Sequence, residues 1–434
     1  MSVKLIKISC CFLIAGFLIA LGLVFIKNLI DFPVYYAAGQ SLLSGRTDLY
    51  APDFALGRVM DYRYPPFFLL LFLPLWLLPY KVAAYFWYLF SIFQIIGCLI
   101  IFGRILNQQK ISKWVWAVLF LSTGQYFIQV LHYGNAHLLI TFLTFLSLYF
   151  VFTKKEIWAA LCLATAITIK LTPIFLFAYF FFKKRWHPLL YTGIFLITLN
   201  LLPALYFGFS RNNELFRQWF SHVAVNQEFH EANGPINLSL KGQLRRYFSD
   251  IDYGRRVDGD TRYPAVNLLS ISPSTLDKYW MGISLFLIIL AGYLFQKRMP
   301  DSIQQEGINL KGNLYLLETG IFISLLLLIG PLTSKIYFIA LLLPVFALAA
   351  AQFAEQSKSV VTRNILIIIS LLNFVLPLLP GRSLQRWLLV IGVDFYINML
   401  VLMGLLYTLW LPAKLVPQRY DELPPPILKE TKKS

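Results

Sequence analysis

The sequence predicts an all-α polytopic membrane protein, and three observations carry that prediction. Hydrophobic residues make up 58% of the 434-residue chain and charged residues only 14%, with a mean hydropathy of +0.66. Soluble domains carry about a quarter charged residues. Apolar runs recur along the chain at about the 20-residue length that crosses a bilayer as a helix. Lysines and arginines fall between those runs, as the positive-inside bias requires. The formal charge of +17 would point to nucleic acid in a soluble chain. Here it is loop charge, and nucleic acid is not an expected partner.

Taken in order, the first run, 8–30, follows Lys4 and Lys7 and reads as a retained spanning helix, because no small-residue cleavage site follows it. A polar segment, about 31–66, comes next. The stretch 67–79 is apolar but short and holds Pro74, so it is expected along the membrane interface. Runs at 82–103, 114–131 and 135–152 read as spans. Then comes a shorter pair, 157–169 and 173–182, broken at Lys170-Leu171-Thr172-Pro173. At about 1.5 Å per residue neither half crosses the hydrocarbon. Interrupted backbone at that depth must face protein or water, which predicts a cavity. Further spans are read at 188–208, 276–296, 314–330, 336–354, 364–379 and 389–411. The total is about 10 to 12 transmembrane helices in a single integral membrane domain, 1–410. The tail 411–434, with Pro424-Pro425-Pro426 and several lysines, is expected to be a disordered cytoplasmic end.

Orientation follows from the connecting loops. Arg104, Lys110 and Lys113, the Lys154-Lys155 and Lys183-Lys184-Arg185 clusters, Lys297-Arg298, and Lys358 with Arg363 share one side with the Lys-rich tail. That side is expected to be cytoplasmic, with both termini there. The extracytoplasmic side then receives the two long segments, about 31–66 and 209–275, and with them the residues capable of chemistry. Cys10, Cys11, Cys98 and Cys162 sit inside apolar runs without metal-site spacing. No phosphate-binding loop, dinucleotide fingerprint or Ser-His-Asp grouping stands out. No metal ligands or cofactor are assigned, and metal dependence and oligomeric state are left open.

Asp31 stands where the first helix ends, at the expected outer boundary. A carboxylate there can meet a lipid-carried substrate whose head lies at the same depth. Lys170, a cation at a helix break inside the membrane, is costly unless it meets water or an anion, and a lipid phosphate satisfies it. In the second outer segment Arg245 and Arg246 can clamp phosphate oxygens, and Asn237 and Ser239 can contact the same substrate. Lys335 is a further phosphate-binding candidate, His230 a substrate-side one, and Tyr35, Tyr36 and Tyr64 can stack on flat faces of a substrate. The plainer alternatives are a helix-end charge for Asp31, a snorkelling Lys170, a solvated outer loop and an aromatic belt.

The order Asp31-Phe32-Pro33-Val34-Tyr35-Tyr36-Ala37-Ala38, Leu42-Leu43-Ser44-Gly45, Leu49-Tyr50 and Tyr62-Arg63-Tyr64-Pro65-Pro66 resembles glycosyltransferase family 87, membrane enzymes of the GT-C class. Tyr133-Gly134-Asn135, 166–173, Asn237-Leu238-Ser239-Leu240 with Arg245-Arg246, and Pro331-Leu332-Thr333 to Tyr337 are similar to that family too. The resemblance implies a GT-C-like bundle with a broken helix pair and outer-face interfacial segments. It implies inverting transfer of a hexose, typically mannose, from a polyprenyl-phosphate donor to a hydroxyl of a glycan or glycolipid on the extracytoplasmic face of the cell membrane. Asp31 matches the general base, and Asn135 joins the substrate-side residues. One departure is Ser334-Lys335-Ile336-Tyr337, where actinobacterial members often carry Trp and His. The alternative, a transporter or flippase of lipid-linked sugars, predicts ionisable residues deep in several helices. Apart from Lys170, Glu318 and Asp394 the spans are nearly free of them, which favours surface chemistry.

Overall fold

The computed structural model describes residues 16–45, 49–50, 62–106, 111–221, 236–250, 263–297, 308–354 and 359–410, and every regular element among them is helical. In chain order the helices are α1 Gly16–Asn28, α2 Phe32–Leu43, α3 Pro66–Trp76, α4 Tyr80–Ile105, α5 Lys113–Tyr133, α6 His137–Phe152, α7 Glu156–Ile169 and α8 Leu176–Phe182. They continue as α9 Trp186–Phe207, α10 Phe209–Trp219, α11 Leu240–Phe248, α12 Pro273–Lys297, α13 Ile308–Ile329, α14 Lys335–Phe353, α15 Val360–Val375, α16 Arg382–Ile391 and α17 Val393–Trp410. His230 and the tail 411–434 lie outside the described residues.

Seven of these helices are long and apolar enough to cross a membrane, or nine if two bent pairs each count as one span. The sequence expectation of 10 to 12 is not confirmed among the described residues, for identifiable reasons. The run 135–152 gives up its start to a turn, so α6 has 16 residues, roughly 24 Å. The last run, 389–411, begins inside α16 and bends by 47° into α17, where Gly392 takes a left-handed conformation with φ 82°. The first run ends at Asn28, and the chain turns by 58° into α2. The segment expected as a polar loop begins as this 12-residue helix, because Phe32, Tyr35 and Ala38 recur at helical spacing and are buried on one face. Gly39 lies flat against the Trp76 ring of α3, in space that a Cβ would need.

Two helices form the centre. In α13 and α14 the apolar spans are 78% and 83% buried, whereas α9 is only 11% buried. Around that centre the apolar residues face outward: Phe86, Phe93, Leu285, Phe286 and Ile289 are all exposed. Only lipid covers such a surface favourably. α7 packs between α6 and α9, α8 lies against α9 and α12, and the return end of this broken pair is tied to the centre by a 2.7 Å ion pair between Lys183 and Glu318. Pairing is what makes a buried carboxylate tolerable at this depth.

The short amphipathic helix α11 is wedged against the same end of the bundle as the 330–335 turn and α16. Ser239 caps it, its hydroxyl accepting from the Gly242 N–H at 3.3 Å. Gly242 has no room for a side chain, because a Cβ would collide with the Asn237 carbonyl. Glycine to alanine within a helix ordinarily stabilises by about 0.5–1 kcal/mol. Gly242→Ala is expected to reverse that sign and destabilise by about 1–3 kcal/mol, read as a lowered unfolding midpoint of the detergent-solubilised protein.

Candidate active site

The site is assembled on the turn 133–137 between α5 and α6. Gly134 ends α5 in a left-handed conformation, φ 61°, with Leu29 and Phe32 packed where a side chain would begin. Its carbonyl accepts from the Trp87 indole at 2.8 Å. On one side of the turn, the Tyr133 carbonyl accepts backbone hydrogen bonds from Ile30 at 3.3 Å and Asp31 at 2.9 Å. That fixes Asp31, half-buried, at the N-cap position of α2. Its carboxylate does not cap the helix, although the helix dipole favours a negative charge there. Tyr35 and Tyr64 stand beside it, their hydroxyls 2.9 Å apart, and the Tyr35 hydroxyl also accepts from the Ala136 N–H at 3.3 Å. Burial, then the nearby Asp31 charge, holds the Tyr64 phenol above its ordinary pKa.

On the other side, the Asn135 side chain accepts from the His137 N–H at 3.0 Å and starts α6. His137 is buried, and its Nε2 lies 2.9 Å from the Lys170 ammonium. Lys170 ends α7 in extended backbone, the point where the helix pair breaks. Its ammonium also donates to the Tyr337 hydroxyl and lies 4.2 Å from the centre of that ring. His137 and Tyr337 line a half-open cleft with about 510 Å³ of empty space, along with Thr141, Thr144, Thr172 and Thr333. Ile323, Leu326 and Leu327 close its deeper wall. Several hydroxyls line an otherwise apolar cleft, and Lys170 stands behind two of its lining residues, His137 and Tyr337, a polarity that suits a phosphorylated lipid.

Other expected residues take different places. Asn237 is fully buried and its amide is committed: it donates to the Pro331 carbonyl at 3.0 Å and accepts from the Ser239 and Thr333 N–H groups at 3.1 and 3.2 Å. With Leu238 N–H on the Thr333 carbonyl at 2.6 Å, it latches the second outer segment to the wall of the cleft. Ser239 caps α11. Arg246, fully buried, donates to the carbonyls of Leu389, Val390 and Asn237, tying α11 to the C-terminal end of α16. Arg245 forks onto Asp277 at 3.0 and 2.5 Å. Neither guanidinium lines the cleft. The Tyr36 hydroxyl donates to the Leu78 carbonyl at 2.7 Å, away from the turn. Lys335 lies 4.0 Å from Asp394, around the 335–341 helix turn from Tyr337. Among the described residues no group of three or more His, Cys, Asp or Glu is placed to hold a metal ion.

His137 and Tyr337 had no assigned role in the sequence reading. The histidine's signal was its position, two residues beyond Asn135 at the start of an apolar run. Tyr337 stood inside a quoted motif, but nothing local marks it as facing Lys170, 167 residues earlier.

The sequence pattern of glycosyltransferase family 87 matches residues 62–299, more than half of the chain. Asp31 lies ahead of that stretch and Tyr337 beyond it. Among curated proteins, the chain is similar to the polyprenol-phosphate-mannose-dependent alpha-(1-2)-phosphatidylinositol pentamannoside mannosyltransferase of Mycolicibacterium smegmatis, with 29% identity over 168 residues. The similarity covers 37% of this chain and 39% of the length of that relative. No solved structure matches the chain.

Asn237→Ala leaves the Pro331 carbonyl and the Thr333 N–H without their buried partner. A loss of about 1–3 kcal/mol in stability is expected, with earlier proteolytic cleavage around 331–335 in limited digestion of the purified protein.

Proposed function

The chain belongs to glycosyltransferase family 87, and we propose that it transfers a hexose, mannose by analogy with the similar enzyme, from a polyprenyl-phosphate donor to a hydroxyl of a glycan or glycolipid. The observation that carries this reading is the shared turn: Asp31 leans on Tyr133, and Lys170 reaches His137 four residues later. A carboxylate and a cation thus stand on the two sides of one rigid support.

In this mechanism the acceptor oxygen attacks the anomeric carbon, its proton passes to the Asp31 carboxylate, and the bond to the phosphate oxygen breaks with its electron pair going to the phosphate. A single displacement of this kind inverts the anomeric centre. Proton removal is needed because a neutral hydroxyl is a poor nucleophile. Lys170 stabilises the charge that grows on the departing phosphate, and the Tyr337 hydroxyl and His137 hold the ammonium in place beforehand, so little reorganisation accompanies the reaction. The polar cleft mouth takes the donor phosphate, and Tyr35, Tyr64 and Asn135 border the sugar side. Arg246 and Asn237 support the site from behind by holding the outer segment on the 331–333 turn. We place this site on the extracytoplasmic face, since Arg104, Lys113, Lys154-Lys155 and Lys183-Lys184-Arg185 stand at the helix ends opposite the 133–137 turn.

A transport-only role is less well supported, because the ionisable groups deep in the bundle are paired: Glu318 with Lys183, Asp394 with Tyr126 and Lys335. A carrier needs ionisable groups deep in several helices, and among the described residues the long apolar helices hold few of them. The test is sugar transfer by purified protein in detergent with a short-chain polyprenyl-phosphate mannose. Asp31→Asn is expected to lower kcat by about 10²–10⁴-fold with donor binding retained. Lys170→Gln is expected to lower kcat/KM by about 10²-fold or more. Full turnover by folded Asp31→Asn protein would remove the carboxylate from the mechanism.

A further inference from the structure

A second cavity lies around the 335–341 helix turn from the first. It is a half-open cleft walled by Gln125, Lys335, Gln385, Leu389 and Asp394. With three residues per turn in this 3₁₀ segment, positions two apart face different sides. Lys335 and Tyr337 therefore serve different cavities from one short element, and the element is their common wall.

The chemistry of the second cavity differs from that of the first. Asp394 is buried, and one carboxylate oxygen accepts from the Tyr126 hydroxyl at 2.8 Å. Its other oxygen lies 4.0 Å from the Lys335 ammonium. That separation is longer than a direct hydrogen bond, about 2.7–3.2 Å, and leaves room for one oxygen to touch both. The pair cancels in charge, so the cavity does not select an anion, and the carboxylate opposes a phosphate. The Gln385 amide nitrogen is held by the Leu376 and Leu379 carbonyls at 3.0 and 3.2 Å, which leaves the amide oxygen as the group it offers a ligand. Gln125 is fixed in turn by Asn373. A neutral wall with one ammonium donor, one carboxylate acceptor and two oriented amides suits groups that donate and accept at once, as the hydroxyls of a saccharide do. The amphipathic helix α16 closes one side of the cavity with Gln385 and Leu389 and carries Trp387 exposed beside them.

We infer that this cavity binds a saccharide unit of the acceptor, with a pair of neighbouring hydroxyls bridging Asp394 and Lys335, next to the cleft that takes the lipid phosphate. The inference deepens the proposed transfer reaction and rests on it for the word acceptor. Saccharide binding itself is independent of transfer.

The experiment titrates methyl α-mannopyranoside into the purified full-length protein in detergent without donor, following ligand resonances by saturation-transfer NMR, with inorganic phosphate as competitor. Binding is expected, phosphate is expected not to displace it, and Asp394→Asn and Gln385→Ala are each expected to weaken it about tenfold or more. In the transfer assay the same variants raise the KM for acceptor by a similar factor and leave the KM for donor unchanged. Should Asp394→Asn fail to fold, Gln385→Ala decides alone. Unchanged sugar binding and unchanged acceptor KM in a folded variant, or displacement of the sugar by phosphate, overturn the inference. Variant-sensitive sugar binding without any transfer by the wild type leaves the cavity standing and rejects the proposed reaction.

Discussion

The carbonyl of Tyr133 is the point on which the candidate site depends. It accepts from both Ile30 and Asp31, and so fastens the bend after α1 to the turn that starts α6. Without that fastening the carboxylate would be a charge at the end of one helix. With it, Asp31 and the His137–Lys170 contact are separated by one short turn, and the turn itself is rigid: Gly134 has no room for a side chain, and its carbonyl is held by Trp87. Backbone groups near a bilayer must find partners inside the protein. Here that demand also sets the distance between two chemically different side chains.

The second half of the chain closes the site by the same rule. The carbonyls at the end of α16 are satisfied by Arg246 and Tyr247, and those of the 331–333 turn by Asn237 and Leu238. A fully buried guanidinium is expensive unless each donor finds an acceptor, so Arg246 tolerates little displacement. Its neighbour Arg245 is neutralised by Asp277. Both members of the basic pair are therefore held by protein partners, while Lys170 contacts His137 and Tyr337 beside the cleft.

Much of this was legible in the sequence, and the parts that were not have physical reasons. Composition and run length gave an all-helical membrane bundle, and the broken pair around Lys170 marked the cleft because two short apolar segments flank a cation. The span count was not confirmed among the described residues because hydropathy sees neither bends nor short helices: the Gly392 corner sits inside the last apolar run, and α6 has only 16 residues. The roles of Arg245, Arg246 and Asn237 were hidden for a different reason. Whether a polar side chain meets a ligand or a carbonyl is decided by tertiary partners 32 to 144 residues away. Lys170 found His137 and Tyr337 by the same long-range packing.

The central claim is that the donor phosphate sits at Lys170, across the 133–137 turn from Asp31. The most direct measurement is an experimental structure of the full chain with a short-chain polyprenyl phosphate bound. The account predicts phosphate oxygens within about 3.5 Å of the Lys170 ammonium, the lipid chain running along the apolar wall of Ile323 and Leu326, and the Asp31 carboxylate facing the same space. Phosphate bound instead at another basic group, with Lys170 still closed on His137 and Tyr337, would contradict it.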